Sequence, residues 1–187
     1  MIIFLNCEKK FIDVREIKLQ DINFLDIFHS LSKLCRFCGH GNMFYSVAQH
    51  SCLVSDWILE KTSDKRLAFA GLMHDASEAY VGDIINPIKK HLPLFQNIEK
   101  DIQQKICERF NITYPFADII NEADQRIVID EMNVLFHVKK KKIRRLFFEK
   151  TLPLNINIKP WTIDESEAEF HIRFLELQWD IRHEKES

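Results

Sequence analysis

Residues 72–83 read LMHDASEAYVGD, and this stretch decides the interpretation of the whole sequence. It ends a helical pattern that we expect to run from Asp64 to Tyr80. One face of that helix carries Leu67, Gly71, His74 and Glu78. The helix therefore turns polar groups toward a face that apolar residues otherwise occupy. Burying such groups is costly unless they are paired or bound to a metal, so the stretch predicts a polar site inside a helical core.

The rest of the chain predicts the same kind of fold. It has 187 residues, of which 46% are hydrophobic and 29% charged, and its formal net charge is -2. This length predicts one domain over residues 1–187, with a core at about residues 20–180. Only 4 Gly and 5 Pro are present, which disfavours a many-stranded β fold. We expect an all-α bundle of about six helices and leave open a short N-terminal hairpin within residues 1–17.

Capping patterns mark where several helices begin. Asp21 is the expected N-cap of the first helix. Ser46 and Gln49 form a capping box, in which each side chain bonds the other's backbone N–H. The helix that they start turns His50 inward together with apolar residues.

Three more helices follow along the chain. One runs from about Pro93 to Phe110, and another follows Pro115. The last opens with a box-like cap at Asp164 and Glu167. Its predicted inward face consists of Ala168, Ile172, Leu175 and Trp179.

Three polar residues, His50, His74 and Asp124, lie on stripes that should be buried, and Asp75 is the neighbour of His74. Each has an ordinary structural explanation by itself, and a metal site is indicated only by the four together. Imidazole and carboxylate ligands suit Zn, Mn, Fe, Co or Ni better than Ca. Asp130 competes for the fourth position, but it lies about 240° around the helix from Asp124 and so faces elsewhere.

Other features exclude classes of function. The sequence contains no run of 18 apolar residues, so it predicts no membrane span. Residues 1–5 are too short for a signal-peptide core. We therefore expect a cytoplasmic protein with five reduced cysteines and no membrane partner. The Cys35-x-x-Cys38 pair lacks a second pair at zinc-finger spacing. The basic run KKKKIRR at residues 139–145 is interpreted as a solvated helix end, not as a nucleic-acid surface.

The order of the polar residues resembles the H…HD…D signature of the HD-domain phosphohydrolases, which are all-helical and metal-dependent. Four further segments are similar to the small nucleotide-hydrolysing branch of that family. They are CRF at residues 35–37, FYSVAQH at 44–50, LMHDASEAYVGD at 72–83 and NPIK at 86–89. The Pro160–Trp161 pair and the final helix also resemble this branch. It includes bacterial 5'-deoxynucleotidases and phage dATP triphosphohydrolases.

The resemblance implies roles for individual residues. His50, His74, Asp75 and Asp124 match the family's metal ligands. Glu78 matches the acid that activates or positions the attacking water. In the same way, Asp83 matches a second acid near the leaving group, with the alternative that it caps the turn after Gly82.

Substrate contacts are implied in the same way. Arg36 and Lys89 match positions that hold phosphates, and Pro87 belongs to the same NPIK segment as Lys89. Phe37 matches an aromatic position near base or sugar. Bacterial deoxynucleotidases carry Trp there, so base preference stays open. Gly39 is expected to widen the base pocket.

We therefore expect a dNTP triphosphohydrolase, dATP-preferring, that releases deoxynucleoside and triphosphate. The alternatives are a 5'-deoxynucleotidase acting on dNMP and a non-catalytic nucleotide-binding module. The expected cofactor is one divalent transition metal (Co, Mn, Zn, Fe or Ni), with a second, weaker ion left open. We expect a homo-oligomer, from dimer to hexamer, with residues 1–17 and 141–163 as candidate contacts. If the source is a phage, the location is the host cytoplasm.

Overall fold

A computed structural model describes residues 3–183 of the chain. An antiparallel hairpin opens this range, with β1 (Ile3–Leu5) paired to β2 (Phe11–Asp13), and it confirms the N-terminal hairpin. The α-helices of the described range are α1 (Phe24–Lys33), α2 (Val47–Thr62), α3 (Lys65–Leu72), α4 (Glu78–Val81), α5 (Asn86–Lys89), α6 (Pro93–Phe110), α7 (Asp118–Leu135), α8 (Lys140–Phe147) and α9 (Ile163–His183). No helix in this range is both long and apolar enough to cross a membrane.

The all-α fold is confirmed, and the bounds of α6 agree with the predicted helix. The described part of the chain has nine helices where about six were expected, mainly because α4, α5 and α8 are short separate helices. One large core cluster joins apolar side chains of α1, α2, α3, α6, α7 and α9. All five cysteines are free thiols in the described structure.

The predicted helix from Asp64 to Tyr80 is broken at residues 73–77, which form a turn. The side chain of Gln103, on α6, causes this break. Its amide nitrogen donates to Met73 O (2.9 Å), and its amide oxygen accepts from Ser77 N (3.0 Å). In a continuous helix these two backbone groups would bond each other. The inserted amide opens the ladder, and the turn that results carries His74 and Asp75.

The predicted N-cap of the first helix needs correction. Asn23, not Asp21, caps α1, with its side-chain oxygen accepting from Leu25 N at 2.9 Å. Asp21 instead ends a short 3-10 turn and accepts from Lys18 N. Asn and Asp are equally good N-caps, so residue type alone did not distinguish two positions two residues apart.

The capping box at α2 is half confirmed. Ser46 Oγ accepts from Gln49 N at 3.0 Å. The side chain of Gln49 does not return to Ser46, since it donates to Lys159 O (2.8 Å) and accepts from Trp161 N (3.0 Å). Gln49 therefore ties α2 to the segment that precedes α9.

The predicted inward face of α9 is wrong. The inward residues are Ser166, Phe170, Phe174 and Leu177. Of the predicted face, Ile172, Leu175 and Trp179 are 47%, 54% and 65% exposed. Both faces carry apolar residues, and the choice comes from contacts distant in sequence, such as the stacking of Phe24 on Phe174 with ring centroids 3.5 Å apart.

The predicted cap of α9 is also wrong, because the reciprocal bonds join Thr162 and Glu165. Thr162 N donates to the Glu165 carboxylate (2.7 Å), and Glu165 N donates to Thr162 Oγ1 (3.2 Å). Asp164 makes no such bond, and Glu167 pairs instead with His29 and Lys33 on α1.

The basic run at residues 139–145 is not the end of the preceding helix. It forms most of α8, and Lys140 in its first turn is ion-paired with the fully buried carboxylate of Asp130. The Asp130 carboxylate also accepts from Asn155 N at 2.9 Å. Asp130 therefore holds α7 against α8 and the following segment. This agrees with its exclusion from the predicted metal site.

Candidate metal centre and active site

Three helical segments bring the four predicted ligands together. His50 lies on the first turn of α2, His74 and Asp75 in the turn after α3, and Asp124 on the second turn of α7. One ligand atom from each lies within 4.8 Å of the others, and we call this group the His/Asp cluster. His50 is fully buried and the other three are partly buried.

The distances within the His/Asp cluster fit a single ion. His50 Nε2 lies 3.2 Å from Asp124 Oδ1 and 3.3 Å from His74 Nε2. His74 Nε2 lies 3.3 Å from Asp75 Oδ2. Ligand atoms about 2.1 Å from one transition-metal ion lie about 3 Å apart, so these separations are those of a coordination shell.

In both imidazoles, the nitrogen that faces away from the cluster, Nδ1, has a hydrogen-bond partner. His50 Nδ1 lies 2.6 Å from Glu131 Oε1, and His74 Nδ1 lies 2.7 Å from Gly71 O. Since Glu131 Oε1 and Gly71 O are both acceptors, Nδ1 is the donor in each ring, and in the neutral imidazole the Nε2 lone pair faces the cluster. This is the arrangement of histidines that bind metals. The donor set therefore fits the predicted metal.

The charged groups of the His/Asp cluster shift one another's pKa values. Burial lowers the pKa of His74, but Asp75 and Asp124 more than compensate, and its pKa rises well above 6.5. Burial raises the pKa of Asp75, but His74 and His50 bring it down to about 2. The pKa of Asp124 is likewise well below its usual value, because hydrogen bonds from His50 and His74 outweigh burial. Both carboxylates are therefore ionised and available to a cation.

Glu131 is a site residue that the sequence interpretation did not assign. It is fully buried on α7, bonds His50, and lies 3.3 Å from an Arg36 guanidinium nitrogen. Burial raises its pKa, but Arg36 and His50 hold it below its usual value. A signal was available in the sequence, because Glu131 lies seven residues after Asp124 and therefore two turns along the same helix face.

Arg36, which the resemblance predicts to hold phosphate, lies at the edge of the cluster. Its guanidinium is 3.5 Å from Asp75 Oδ2, and its Nε is buried without a hydrogen-bond partner among the described residues. Buried donors without partners are rare and call for a ligand or water. Arg36 is thus anchored by two carboxylates, and its Nε–H is an unpartnered donor in the described structure.

Glu78, the predicted water-activating acid, is the first residue of α4 and is buried. Its Oε1 lies 3.7 Å from Lys89 Nζ, and its Oε2 has no hydrogen-bond partner in the described structure. Burial raises its pKa well above the usual value, and the charges of Asp75 and Asp83 add to this. Lys89 is paired at 2.7 Å with Glu99, a second acid that the sequence interpretation missed.

The remaining predicted site residues, Asp83, Phe37 and Pro87, differ in how far they are buried. Asp83 is partly buried, and burial together with the charge of Asp75 raises its pKa, although Arg36 opposes this. Phe37 is partly buried and packs edge-on against Phe136 at 5.4 Å between ring centroids. Pro87 is exposed in the first turn of α5, the short helix that also carries Lys89.

The loop that carries Arg36 has an unusual backbone. Phe37, Cys38 and Gly39 have φ values of 56°, 53° and 72°, a left-handed run that non-glycine residues rarely adopt. A Cβ added to Gly39 would meet nothing within 4 Å. The need for glycine at position 39 therefore comes from its backbone conformation and not from a close approach.

The helical fold and the His/Asp cluster together define a protein of the HD-domain class. The chain belongs to the YfbR-like family, because the model of that family, described as 5'-deoxynucleotidase YfbR-like, matches residues 37–131. That range contains all four residues of the His/Asp cluster, and also Glu78, Asp83, Lys89 and Glu131.

Two curated proteins are similar to this chain. YfdR of Escherichia coli (strain K12) is 40% identical over 117 residues, which are 59% of this chain and 63% of that protein. A protein of Rhodobacter capsulatus is 40% identical over 73 residues, 37% of each chain. The chain therefore matches less than two thirds of the length of either relative.

Proposed function

We propose that this protein is a metal-dependent 5'-deoxynucleotidase, which hydrolyses a dNMP to a deoxynucleoside and orthophosphate. The description of its family supports this activity, and the His/Asp cluster supports the metal. We choose a monophosphate as the substrate because of the balance of charge around the His/Asp cluster.

Carboxyl groups outnumber cationic side chains around the His/Asp cluster. The carboxyl groups are those of Asp75, Glu78, Asp83, Glu99, Asp124 and Glu131, whereas the cationic side chains other than the two cluster histidines are Arg36 and Lys89. The positive patch that a triphosphate with about four negative charges would require is therefore not formed by these residues. A monophosphate carries about two negative charges, and it suits one divalent ion with one or two free donors.

A divalent ion held by His50, His74, Asp75 and Asp124 would polarise a phosphoryl oxygen and lower the pKa of a water bound to it. Arg36 has its buried Nε free to donate to the phosphate. Lys89 lies within reach of Glu78 and adds a positive charge beside it. These two side chains orient the phosphate, and Glu131 and Gly71 O keep the two imidazoles aligned.

Hydrolysis forms a bond from the water oxygen to phosphorus and breaks the bond from phosphorus to the 5' oxygen. Glu78 is the group that accepts the proton of the water, because its unpartnered Oε2 is buried at the site and its raised pKa favours proton transfer near neutral pH. Asp83, whose pKa is also raised, supplies the proton that the leaving 5' oxygen takes.

The second candidate is the dNTP triphosphohydrolase, favoured by the resemblance of CRF at 35–37 and of the 72–83 stretch to phage enzymes. Both activities use the same ligands, Glu78 and Arg36. The test is a panel of dNMPs and dNTPs with Co²⁺, Mn²⁺, Mg²⁺ and Zn²⁺, in which nucleoside, orthophosphate, pyrophosphate and triphosphate are resolved.

Orthophosphate and deoxynucleoside from a dNMP are expected. Free triphosphate from a dNTP, without dNMP turnover, would replace our proposal with the second candidate. Binding of nucleotide without any metal-dependent product would instead indicate a non-catalytic module. The matched inactive control is His74→Ala, which removes a cluster ligand.

We also propose that the protein forms a homo-oligomer through α9. Ala168, Ile172, Leu175 and Trp179 follow one another at intervals of four, three and four residues, and all are exposed. This is the spacing of a seam between packed helices. An apolar seam in which the large residues are about half exposed is suited to the same seam on a second copy. This surface differs from residues 1–17 and 141–163, the candidates from sequence.

A further inference from the structure

A cavity of about 800 Å³ lies away from the His/Asp cluster, where α3 and α9 meet the segment that joins α6 to α7. None of the four cluster residues lines it. Its floor is apolar and includes Phe69, Phe110, Ile112 and Phe174. The volume is in the range of small-molecule sites, which are mostly apolar with a few polar groups that fix orientation.

Three arginines complete the lining of the cavity: Arg66, Arg109 and Arg182. All three are exposed, and none pairs with a carboxylate of the described residues. Arg109 lies over the ring of Phe110, with Cζ 5.9 Å from the centroid. Arg182 donates to Gln178.

The acid at the cavity does not neutralise the arginines. Asp64 is the N-cap of α3, and its Oδ1 accepts from Arg66 N (2.8 Å) and Leu67 N (3.0 Å). The lining therefore has an excess of positive charge above an aromatic and aliphatic floor. Guanidinium groups match carboxylate and phosphate geometry and also stack on rings.

We propose that this cavity binds a small anionic molecule with an aromatic or aliphatic body, and that its occupation alters the His/Asp cluster. The anionic group lies against the arginines, and the body contacts the phenylalanine floor. Charge complementarity selects this class of ligand over a neutral apolar one. Binding to the cavity does not depend on the proposed nucleotidase activity.

The effect on the cluster follows from the elements that form the cavity wall. Phe69 and Ala70 on α3 line the cavity, and the next residue, Gly71, offers the carbonyl that holds His74 Nδ1 at 2.7 Å. Ile120 on α7 also lines it, one turn before Asp124. A molecule that binds in the cavity and shifts either wall therefore also shifts His74 or Asp124. Such coupling is reciprocal, so metal binding changes ligand affinity by the same factor.

The test uses 8-anilinonaphthalene-1-sulfonate, a fluorescent probe with an aromatic body and one sulfonate, titrated against the full chain. We expect one saturable site. The double variant Arg66→Glu/Arg109→Glu should weaken binding about tenfold or more, since it replaces two charge-assisted contacts with repulsion. The control Lys141→Glu/Arg145→Glu changes the net charge equally at exposed positions of α8, and it should leave affinity unchanged.

Two further variants keep the test decisive. Thr113→Trp places a large side chain at an exposed position of the cavity lining and should block the probe. Leu175→Glu/Trp179→Glu removes the exposed seam of α9 and should leave the probe bound. Equal affinity in the arginine variant and the wild type would overturn the proposal, as would loss of the signal in the seam variant.

Two additional measurements identify the ligand class and the coupling. In the metal-free protein, displacement of the probe by hexyl phosphate assigns the site to phosphates, and displacement by decanoate assigns it to carboxylates. Co²⁺ affinity, followed by the absorbance of the bound ion, should change about fivefold at saturating probe. An unchanged Co²⁺ affinity would overturn the coupling. Neither measurement depends on catalytic activity, so failure of the nucleotidase proposal remains distinguishable.

Discussion

His50 Nδ1 and Glu131 Oε1 lie 2.6 Å apart, and both side chains are fully buried. The two residues are 81 positions apart in the chain, on α2 and α7. Glu131 also lies 3.3 Å from Arg36. It is therefore a positioning residue that joins one cluster ligand to the arginine proposed to hold phosphate.

Glu131→Gln should weaken metal binding by about 10–100-fold, as is typical when the hydrogen-bond partner of a metal-binding histidine is changed. The neutral amide no longer favours the tautomer with Nε2 free. Titration calorimetry with Zn²⁺ measures the effect. Glu122→Gln, an exposed position on the same helix, is the control and should leave the affinity unchanged. Equal affinities of the two variants would show that Glu131 only packs.

Glu78→Gln should retain the metal and lose turnover by about 10²–10⁴-fold, the usual contribution of a general acid–base group. Its carboxylate is not part of the His/Asp cluster. Single-turnover kinetics and metal content, measured together, separate the two effects. Glu108→Gln, an exposed position on α6, should behave as wild type. Wild-type turnover by the Glu78 variant would remove Glu78 from the mechanism.

The metal-free protein should be most stable at about pH 4.5–6.5. The raised pKa of His50 and His74 means that their stabilisation is complete below 6.5 and lost as pH rises through their folded values. The lowered pKa of Glu131 means the opposite: its stabilisation is present above 4.5 and lost as pH falls.

Metal should change this profile, because coordination requires neutral imidazoles. The gain in Tm on adding Zn²⁺ should therefore increase from pH 5.5 to pH 7.5. Thermal unfolding with and without chelator measures it. A gain in Tm that is independent of pH would contradict a site containing both histidines.

Gln103→Ala should destabilise the fold by about 2 kcal/mol, since it leaves Ser77 N buried without a partner and removes one of the two hydrogen bonds to Met73 O, which also accepts from Ala76 N. It should also weaken metal binding, because the turn that carries His74 and Asp75 loses its support. Gln104→Ala, the exposed neighbour, should change stability by no more than about 0.5 kcal/mol. Denaturant unfolding and metal titration measure the two effects. Unchanged metal affinity in Gln103→Ala would limit its role to stability.

Leu175→Glu/Trp179→Glu should convert the oligomer to monomer while the chain stays folded, since both residues are more than half exposed. Light scattering after size exclusion gives the mass. Leu146→Glu, at an equally exposed apolar position of α8, is the control. An oligomer that persists in the α9 variant would place the interface elsewhere.

Several features of this protein were predictable from local sequence. The α6 bounds followed from apolar periodicity and Pro93 at the first turn. The four residues of the His/Asp cluster were singled out because polar side chains on apolar stripes need a buried partner or a metal, and the resemblance to the H…HD…D signature then favoured the metal. The exclusion of Asp130 agreed with the structure for the same geometric reason, since helical periodicity places it on another face from Asp124.

Other features depended on contacts that no local pattern contains. The inward face of α9 could not be chosen because two of its faces are apolar, and only packing against Phe24 separates them. The break before α4 depends on Gln103, 26 and 30 residues away from its two partners.

Residue type and helical spacing are local properties, so the sequence was enough to propose the candidate site residues and to predict that the four of the His/Asp cluster lie together. Tertiary structure alone decided which side chains hold them in place. Glu131 on His50, Gln103 in the turn and Glu99 on Lys89 are pairings across the fold. Such pairings form when helices pack, and the free energy of burying a polar group then selects its partner.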